Sequence, residues 1–144
     1  LPPGDPAALS SLEGKMDRVL IDAPCTGSGV WRRRPDAKWR LSPEMLAARV
    51  AEQVAVLDQG ASLVKPGGHL AYITCSVLPP ENRDQVDAFL ARHPEFGLVP
   101  WKEAWTAALN TEPPPSADGS PETLLMTPRT FGTDGFFVAI LKHQ

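Results

Sequence analysis

The 144-residue sequence has few cysteines, no long apolar run and no large excess of charge of one sign. Only two cysteines and no signal-peptide pattern argue against the disulfide framework of a small secreted domain and favour a cytoplasmic location. No apolar run approaches the ~20 residues of a membrane span, so no membrane is expected as a partner. The net charge of −3 excludes a polycation that coats nucleic acid along its whole length. Any contact with nucleic acid must depend on local clusters.

The length and the composition are those of a single globular domain. Hydrophobic residues make up 42% and charged residues 22% of the chain, which is usual for a folded protein. A domain of this size buries roughly 70% of its unfolded surface, so it needs neither a metal nor a disulfide to hold it together. The chain begins at Leu1 rather than Met, and Leu-Pro-Pro-Gly is typical of a linker. We therefore expect residues 1–144 to be one partial domain of a longer protein.

Apolar periodicity predicts alternating strands and helices. Short apolar runs predict buried strands over residues 16–22 and 69–74. Between them, apolar residues recur every three or four positions from the predicted N-cap Ser42 to about Val64. The predicted elements after this βαβ unit are a helix from about residue 81, a strand over 96–101, an exposed loop over 110–122 and a final strand over 136–142. The fold class is therefore α/β.

The two cysteines follow the two predicted strands of the βαβ unit. Cys25 comes after the first strand and Cys75 directly after the second. Because parallel strands bring their carboxyl ends to one edge of a sheet, where open α/β folds bind ligands, both sulfurs are expected to face one substrate. Buried inert thiols and a disulfide between them are the alternatives. A zinc site is disfavoured because the three histidines are scattered singly, and no metal is expected.

A basic segment with two tryptophans begins six residues after Cys25. Five basic residues stand against the single acid Asp36 between positions 32 and 40. Arginine pairs with phosphate in two-pronged geometry and tryptophan stacks on bases, which favours single-stranded or looped RNA as the partner. A solvated face with two packing tryptophans is the alternative. The predicted RNA-binding residues are Arg32, Arg33, Arg34, Lys38, Trp39 and Arg40.

Four sequence motifs match one known family. They are Val-Leu-Ile-Asp-Ala-Pro-Cys-Thr-Gly-Ser-Gly at 19–29, Arg-Arg-Pro-Asp-Ala-Lys-Trp at 33–39, Thr-Cys-Ser at 74–76 with Glu81-Asn82, and Gly-Thr-Asp-Gly-Phe-Phe at 132–137. From about Asp17 to Leu141 the chain resembles the second half of the catalytic domain of the Fmu/Sun/RsmB family of RNA 5-methylcytosine methyltransferases. The resemblance implies a partial Rossmann-like methyltransferase fold with a parallel βαβ core, an antiparallel last strand and the first half of the sheet missing.

The resemblance also implies a catalytic role for three residues. Carbon 5 of cytosine is too weakly nucleophilic to take a methyl group directly, so a thiolate must first add to carbon 6. Cys75 matches the family nucleophile that makes this bond. Asp22 matches the residue that lies near N3, the exocyclic amine and the methyl donor. Cys25 matches the residue linked to release of the product.

S-adenosylmethionine is the implied cofactor, and ribosomal RNA, more than transfer RNA, is the implied partner. Asp22 and Pro24 are predicted to bind the cofactor, and Gly4-Asp5 is predicted to be the remnant of the segment that meets the adenine. In the family the main donor-binding loop lies upstream of the positions present here. We therefore expect this chain alone to bind the donor poorly and to be inactive.

Two alternatives remain open at this stage. In DNA cytosine-5 methyltransferases the nucleophilic cysteine follows a proline, as Cys25 does, and Glu81-Asn82 loosely imitates a second motif of those enzymes. The Thr-Cys-Ser segment at 74–76 has no place in that scheme. The other alternative is a non-catalytic RNA-binding fragment that uses only the basic segment. Separate substitution of the two cysteines distinguishes the alternatives.

Overall fold

The computed structural model describes residues 9–144 as a twisted sheet with helices packed against it. The strands are β1 (Met16–Asp22), β2 (Val64–Thr74), β3 (Phe96–Val99), β4 (Leu124–Met126) and β5 (Phe136–His143). The helices are α1 (Pro35–Arg40), α2 (Pro43–Leu63), α3 (Arg83–Arg92), α4 (Trp101–Leu109) and α5 (Pro128–Phe131), with 3₁₀ turns at Ser28–Val30 and Pro79–Glu81. The predicted cofactor residue Asp5 lies outside the described residues.

The sheet has the strand order β1-β2-β5-β3, and β4 also pairs with β5. β1 and β2 are parallel neighbours, whereas β5 runs antiparallel to β2, β3 and β4. Four strands therefore share one direction and β5 alone runs against them. The α/β class, the parallel βαβ core and the antiparallel last strand are confirmed.

Helix α2 connects β1 to β2 and covers one face of the sheet. It begins at the predicted position, where Pro43 occupies the first turn and the Ser42 hydroxyl accepts a hydrogen bond of 3.2 Å from the Met45 amide. Its inner residues join α3 and the sheet in one apolar core. The core residues are Ile21, Ala23, Leu57, Ala61, Val64, Leu70, Tyr72, Val86, Phe89, Phe96, Phe137, Ala139 and Leu141.

Strand β2 begins at Val64 rather than at His69. Met16 pairs with Val64 and Arg18 with His69, so residues 65–68 bulge out of the ladder. Gly67 has a φ of 78°, a conformation that glycine adopts without strain and that lets the chain turn within the bulge. The sequence Lys-Pro-Gly-Gly indicates a break, which here interrupts the pairing without ending the strand.

The prediction of a strand over 96–101 is wrong at its end. β3 stops at Val99, and Trp101 is the first residue of helix α4. Short apolar runs do not distinguish a strand from a helix start by periodicity alone. The sequence-based expectation also lacks α1, α4, β4 and α5. Three of them (α1, β4 and α5) have three to six residues, which are too few turns or alternations to give a periodic signal.

Between α4 and β4 the residues 110–122 form no helix or strand, and most of them are exposed. Ser116 is the buried exception, because its hydroxyl accepts from the Leu125 amide and donates to Asp118. No helix within residues 9–144 combines the length and apolarity of a membrane span.

Candidate active site

Two free thiols meet at the carboxyl ends of β1 and β2. The sulfur atoms of Cys25 and Cys75 lie 3.2 Å apart, and both residues are half-buried. The register explains the approach, because Asp22 pairs with Ile73 and the Ala23 amide then donates to the Ile73 carbonyl at 2.9 Å. The prediction that the parallel βαβ unit brings the two sulfurs together is confirmed. Their catalytic roles stay predictions.

The two thiols differ in acidity. The hydrogen bond from the Cys25 thiol stabilises the Cys75 thiolate and lowers the pKa of Cys75 to about 7, although burial and the nearby carboxylates of Asp22 and Glu81 oppose this effect. The same hydrogen bond, together with burial, raises the pKa of Cys25 far above its usual range. Cys75 is therefore the thiol of this pair that ionises first, near neutral pH.

This assignment predicts the pH dependence of alkylation. Iodoacetamide reacts with the thiolate form of cysteine. The alkylation rate of Cys75 is therefore expected to increase with pH, with a midpoint near pH 7, whereas Cys25 stays unreactive. Cys25→Ala removes the donor and should move the Cys75 midpoint up toward about 8.5. Cys25→Ser, which keeps a hydroxyl donor, is the matched control. Mass spectrometry of the two peptides gives both rates, and a midpoint near 8.5 in the unchanged protein contradicts the assignment.

A buried carboxylate connects the segments that follow the two cysteines. Glu81 is fully buried, and its Oε1 accepts from the Thr26 amide at 2.7 Å and from Gln53 Nε2 at 3.1 Å. Its Oε2 accepts from the hydroxyls of Thr26 at 2.6 Å and Ser76 at 2.5 Å. The sequence analysis quotes Glu81 only as part of a motif and gives it no role. Its position next to Asn82 in that motif is the signal that could have singled it out.

Further buried polar groups fix the turn after β2. Asn82 accepts from the Thr74 hydroxyl at 2.6 Å and donates to the Ser76 carbonyl at 3.0 Å. The hydroxyls of Ser28 and Ser76 lie 2.9 Å apart, and Ser28 Oγ also accepts from the Val77 amide at 2.9 Å. Each of these side chains is buried and has a partner. Such satisfied buried networks favour a single conformation of the surrounding backbone.

The Gly-Ser-Gly turn at 27–29 packs directly on the turn before β5. The Gly29 amide donates to the Cys75 carbonyl at 2.9 Å, and the Gly29 carbonyl accepts from the Gly135 amide at 2.8 Å. A Cβ atom on Gly29 would lie 2.2 Å from the Gly135 carbonyl oxygen, which leaves no room for any side chain. The close backbone approach thus connects three segments that are distant in sequence.

Two of the three predicted cofactor residues, Asp22 and Pro24, lie at and just after the end of β1. Asp22 is exposed, and within residues 9–144 its carboxylate has no ion pair or side-chain hydrogen bond. It lies near enough to Cys75 to affect the charge on that sulfur. Pro24 is half-buried, and its carbonyl accepts from Gln53 Nε2 at 2.9 Å. An unpaired, exposed carboxylate beside the thiol pair suits a ligand that carries positive charge.

Three of the four arginines in the basic segment form ion pairs within the protein. Arg32 and Arg33 both pair with Asp134, a largely buried acid in the turn that contacts Gly29. Arg40 pairs with Asp36 at 2.7 Å. Arg34 is exposed and has no ion pair in the described part of the chain. The segment therefore offers less free positive charge than the sequence suggests.

The remaining predicted RNA-binding residues form an exposed cation–aromatic group. The Lys38 ammonium lies 5.6 Å from the ring centroid of Trp39 and 5.8 Å from that of Trp31. The Trp39 side chain is 82% exposed. Among residues 9–144, no group of three or more His, Cys, Asp or Glu side chains could hold a metal ion.

Comparisons with known proteins identify the family of this chain. The sequence matches the family model described as 16S rRNA methyltransferase RsmB/F over residues 4–142. The ribosomal RNA small subunit methyltransferase B of Vibrio cholerae is 38% identical over 130 residues, which cover 90% of this chain and 26% of the relative. The chain thus spans about a quarter or less of the length of the curated relatives it matches.

Solved structures show the same fold. The crystal structure of PH0851 superposes with a TM-score of 0.77 at 38% identity, and the match covers 90% of this chain and 27% of that one. The crystal structure of NSun6 from Pyrococcus horikoshii with SFG superposes with a TM-score of 0.74 at 26% identity, and the match covers 96% of this chain and 33% of that one.

Proposed function

This chain belongs to the RsmB/F family of 16S rRNA methyltransferases, and we propose that the protein containing it methylates carbon 5 of a cytosine in small-subunit ribosomal RNA. One observation carries this proposal. The sulfur atoms of Cys25 and Cys75 lie 3.2 Å apart at the carboxyl edge of the sheet. Carbon-5 methylation needs a nucleophile and later a base on the same ring, and this pair supplies both.

The first step belongs to Cys75. Its thiolate adds to carbon 6 of the cytosine and forms a carbon–sulfur bond, and the electrons of the 5,6 double bond then become available at carbon 5. The low pKa of Cys75 supports this assignment, because a large share of the thiol is ionised at neutral pH. Carbon 5 thereby becomes a nucleophile that can take a methyl group.

The last step uses Cys25. Once Cys75 is bonded to carbon 6, it no longer holds negative charge, and the main cause that raises the pKa of Cys25 is gone. Cys25 can then lose its proton to solvent and remove the proton from carbon 5. The electrons of that carbon–hydrogen bond rebuild the 5,6 double bond and expel the Cys75 thiolate. The renewed Cys25 thiol donates to the departing sulfur, which restores the resting pair.

Asp22 and Pro24 are the residues that would hold the cofactor in this part of the protein. S-adenosylmethionine supplies an electrophilic methyl group on a positively charged sulfur, and the exposed, unpaired Asp22 carboxylate suits that charge. We assign to Asp22 the further role of accepting a hydrogen bond from the exocyclic amine of the cytosine. A relative of known structure holds SFG, an analogue of S-adenosylmethionine, which supports the choice of cofactor. Asp5 stays a prediction.

The basic segment is proposed to hold the RNA strand. Arg34 has no ion pair in the described part of the chain and is free to bind phosphate, and exposed Trp39 offers a face on which a base can stack. Arg32, Arg33 and Arg40 are 59% to 67% exposed despite their ion pairs, so they can still add positive potential. The Lys38 ammonium lies close to both tryptophan rings and can reach a neighbouring phosphate.

The DNA methyltransferase alternative requires Cys25 as the nucleophile. The raised pKa of Cys25 and the lowered pKa of Cys75 disfavour that assignment. The family match concerns ribosomal RNA and not DNA. RNA is therefore the substrate class that the observations support.

The test is a methyl-transfer assay with the full-length protein. Small-subunit rRNA, transfer RNA and duplex DNA are incubated separately with S-adenosylmethionine labelled in its methyl group. Nuclease digestion and mass spectrometry are expected to find 5-methylcytosine in the rRNA alone. The 144-residue chain alone is expected to transfer no methyl group. RNA binding by the full-length protein without methyl transfer supports the binding-fragment alternative, and a methyl group on another atom contradicts the proposal.

A further inference from the structure

We propose that Glu81 is a positioning residue that holds the two thiols in contact across the end of the sheet. Its effect on methyl transfer rests on the function proposed above, whereas its effect on the thiol pair does not. Glu81 touches neither sulfur by hydrogen bond and is not a proposed nucleophile or base. It acts through the residues that follow each cysteine.

The Glu81 carboxylate binds the turns that follow both cysteines. Thr26 directly follows Cys25, and Ser76 directly follows Cys75. Glu81 Oε2 accepts from both hydroxyls, at 2.6 Å from Thr26 and 2.5 Å from Ser76. Oε1 accepts from the Thr26 backbone amide at 2.7 Å. A single side chain thus fixes the distance between the backbone segments that carry the sulfur atoms.

Helix α2 anchors the same carboxylate. Gln53, which is fully buried, donates from Nε2 both to Glu81 Oε1 and to the Pro24 carbonyl. Its own oxygen accepts from Gln85 of α3 at 3.3 Å. The residue before Cys25 and the residue after it are therefore held to one network. Through these hydrogen bonds, α2 and α3 hold the backbone on either side of Cys25 in place.

The requirement for a carboxylate is chemical. Glu81 is an acceptor-only group with four donors around it, and within residues 9–144 it has no cationic partner. A buried charge is costly unless hydrogen bonds satisfy it, and the four donors around Glu81 meet that condition. An apolar side chain at this position would leave the Thr26 amide and the hydroxyls of Thr26 and Ser76 without this acceptor. Glutamine has the same shape but carries a donor where a second acceptor is needed.

The contact between the thiols can be measured without methyl transfer. Diamide oxidises two thiols to a disulfide and takes up two electrons and two protons to become a hydrazine. One thiolate adds to the azo bond of diamide, and the second sulfur then displaces the hydrazine to form the disulfide. At saturating diamide this closing step sets the rate, which depends on how often the two sulfurs lie within bonding reach. Formation of the Cys25–Cys75 disulfide, followed by mass spectrometry of the joined peptides, thus reports the position of the turns directly.

Glu81→Gln in the full-length protein is expected to slow this disulfide formation at least about tenfold. It should also lower kcat for rRNA methylation about 100-fold and leave KM for RNA within about threefold, because misplacement by about 1 Å has an effect of that size on catalysis. Thr26→Val and Ser76→Ala each remove one hydroxyl donor and should give smaller losses of the same kind. Thr123→Val is the matched control, since it removes a hydroxyl that is as buried as that of Ser76 but, among the described residues, bonds only to Ser120. The control should leave both rates unchanged.

The outcomes separate the two proposals. A wild-type disulfide rate in Glu81→Gln overturns the positioning role, whatever happens to kcat. The unsubstituted protein could fail to methylate RNA while Glu81→Gln still slows disulfide formation. That result supports the positioning role and refutes the proposed function. If Glu81→Gln shows no cooperative melting transition, the disulfide rates of Thr26→Val and Ser76→Ala are used in its place. Wild-type disulfide rates in both of these variants overturn the inference.

Discussion

Replacing Cys75 with alanine is expected to lower rRNA methylation at least about 10³-fold, since loss of a covalent nucleophile typically has effects of that size or larger. No other group among the described residues provides a thiolate at the end of β2. Without one, no bond to carbon 6 forms and carbon 5 stays unreactive. The measurement is the initial rate of methyl incorporation into small-subunit rRNA at saturating cofactor.

The control for this prediction separates chemistry from folding. Cys75→Ser nearly preserves the volume of the side chain, so its melting temperature should match that of the unchanged protein, yet its hydroxyl is far too weak an acid to replace the thiolate. Activity near the normal rate in either variant contradicts the assignment of Cys75 as the nucleophile.

Replacing Cys25 with alanine is expected to have the opposite signature, which is accumulation of a covalent protein–RNA complex. Carbon-6 addition still occurs in this variant, but the base for carbon 5 and the donor to the departing sulfur are both lost. The complex should survive denaturing electrophoresis and should require the cofactor for its accumulation. The assay belongs at about pH 9, where Cys75 ionises even without its hydrogen-bond donor.

The double variant identifies the bonded sulfur. Cys25→Ala combined with Cys75→Ala should form no stable complex, because the bonding atom is gone. A stable complex in the single Cys75→Ala variant, with none in Cys25→Ala, would assign the nucleophile to Cys25 and restore the DNA-type alternative. Peptide mapping of the digested complex provides an independent measurement of the bonded residue.

The meeting of the two cysteines was predictable because it needs only local patterns and one topological rule. Two short apolar runs indicate strands, the helical periodicity between them indicates a crossover, and parallel neighbours bring their carboxyl ends together. The N-cap at Ser42 and the final strand at 136–142 follow from equally local signals. The bounds of β1, α2 and β5 agree with the prediction within a residue or two, whereas β2 begins five residues earlier than predicted.

The polar contacts of the site were not predictable in this way. Arg33 and Asp134 are separated by 101 positions, and no local signal indicates their ion pair. Glu81 lies in Pro-Pro-Glu-Asn, where an acid is usually solvent-exposed at the start of a helix. Only the complete tertiary structure surrounds it with four donors. The acidity difference between the thiols has the same origin, because it depends on a hydrogen bond across 50 positions.

The position of β5 has a consequence for the order in which the site forms. β5 is the last described strand in the sequence, yet it lies between β2 and β3, and the turn before it closes the backbone chain from Gly135 through Gly29 to Cys75. A growing polypeptide cannot complete this arrangement until that strand has left the ribosome and inserted. Before then, the hydrogen bond between Gly135 and Gly29 cannot form. The turn that follows Cys25 therefore reaches its final surroundings only after the last described strand is in place.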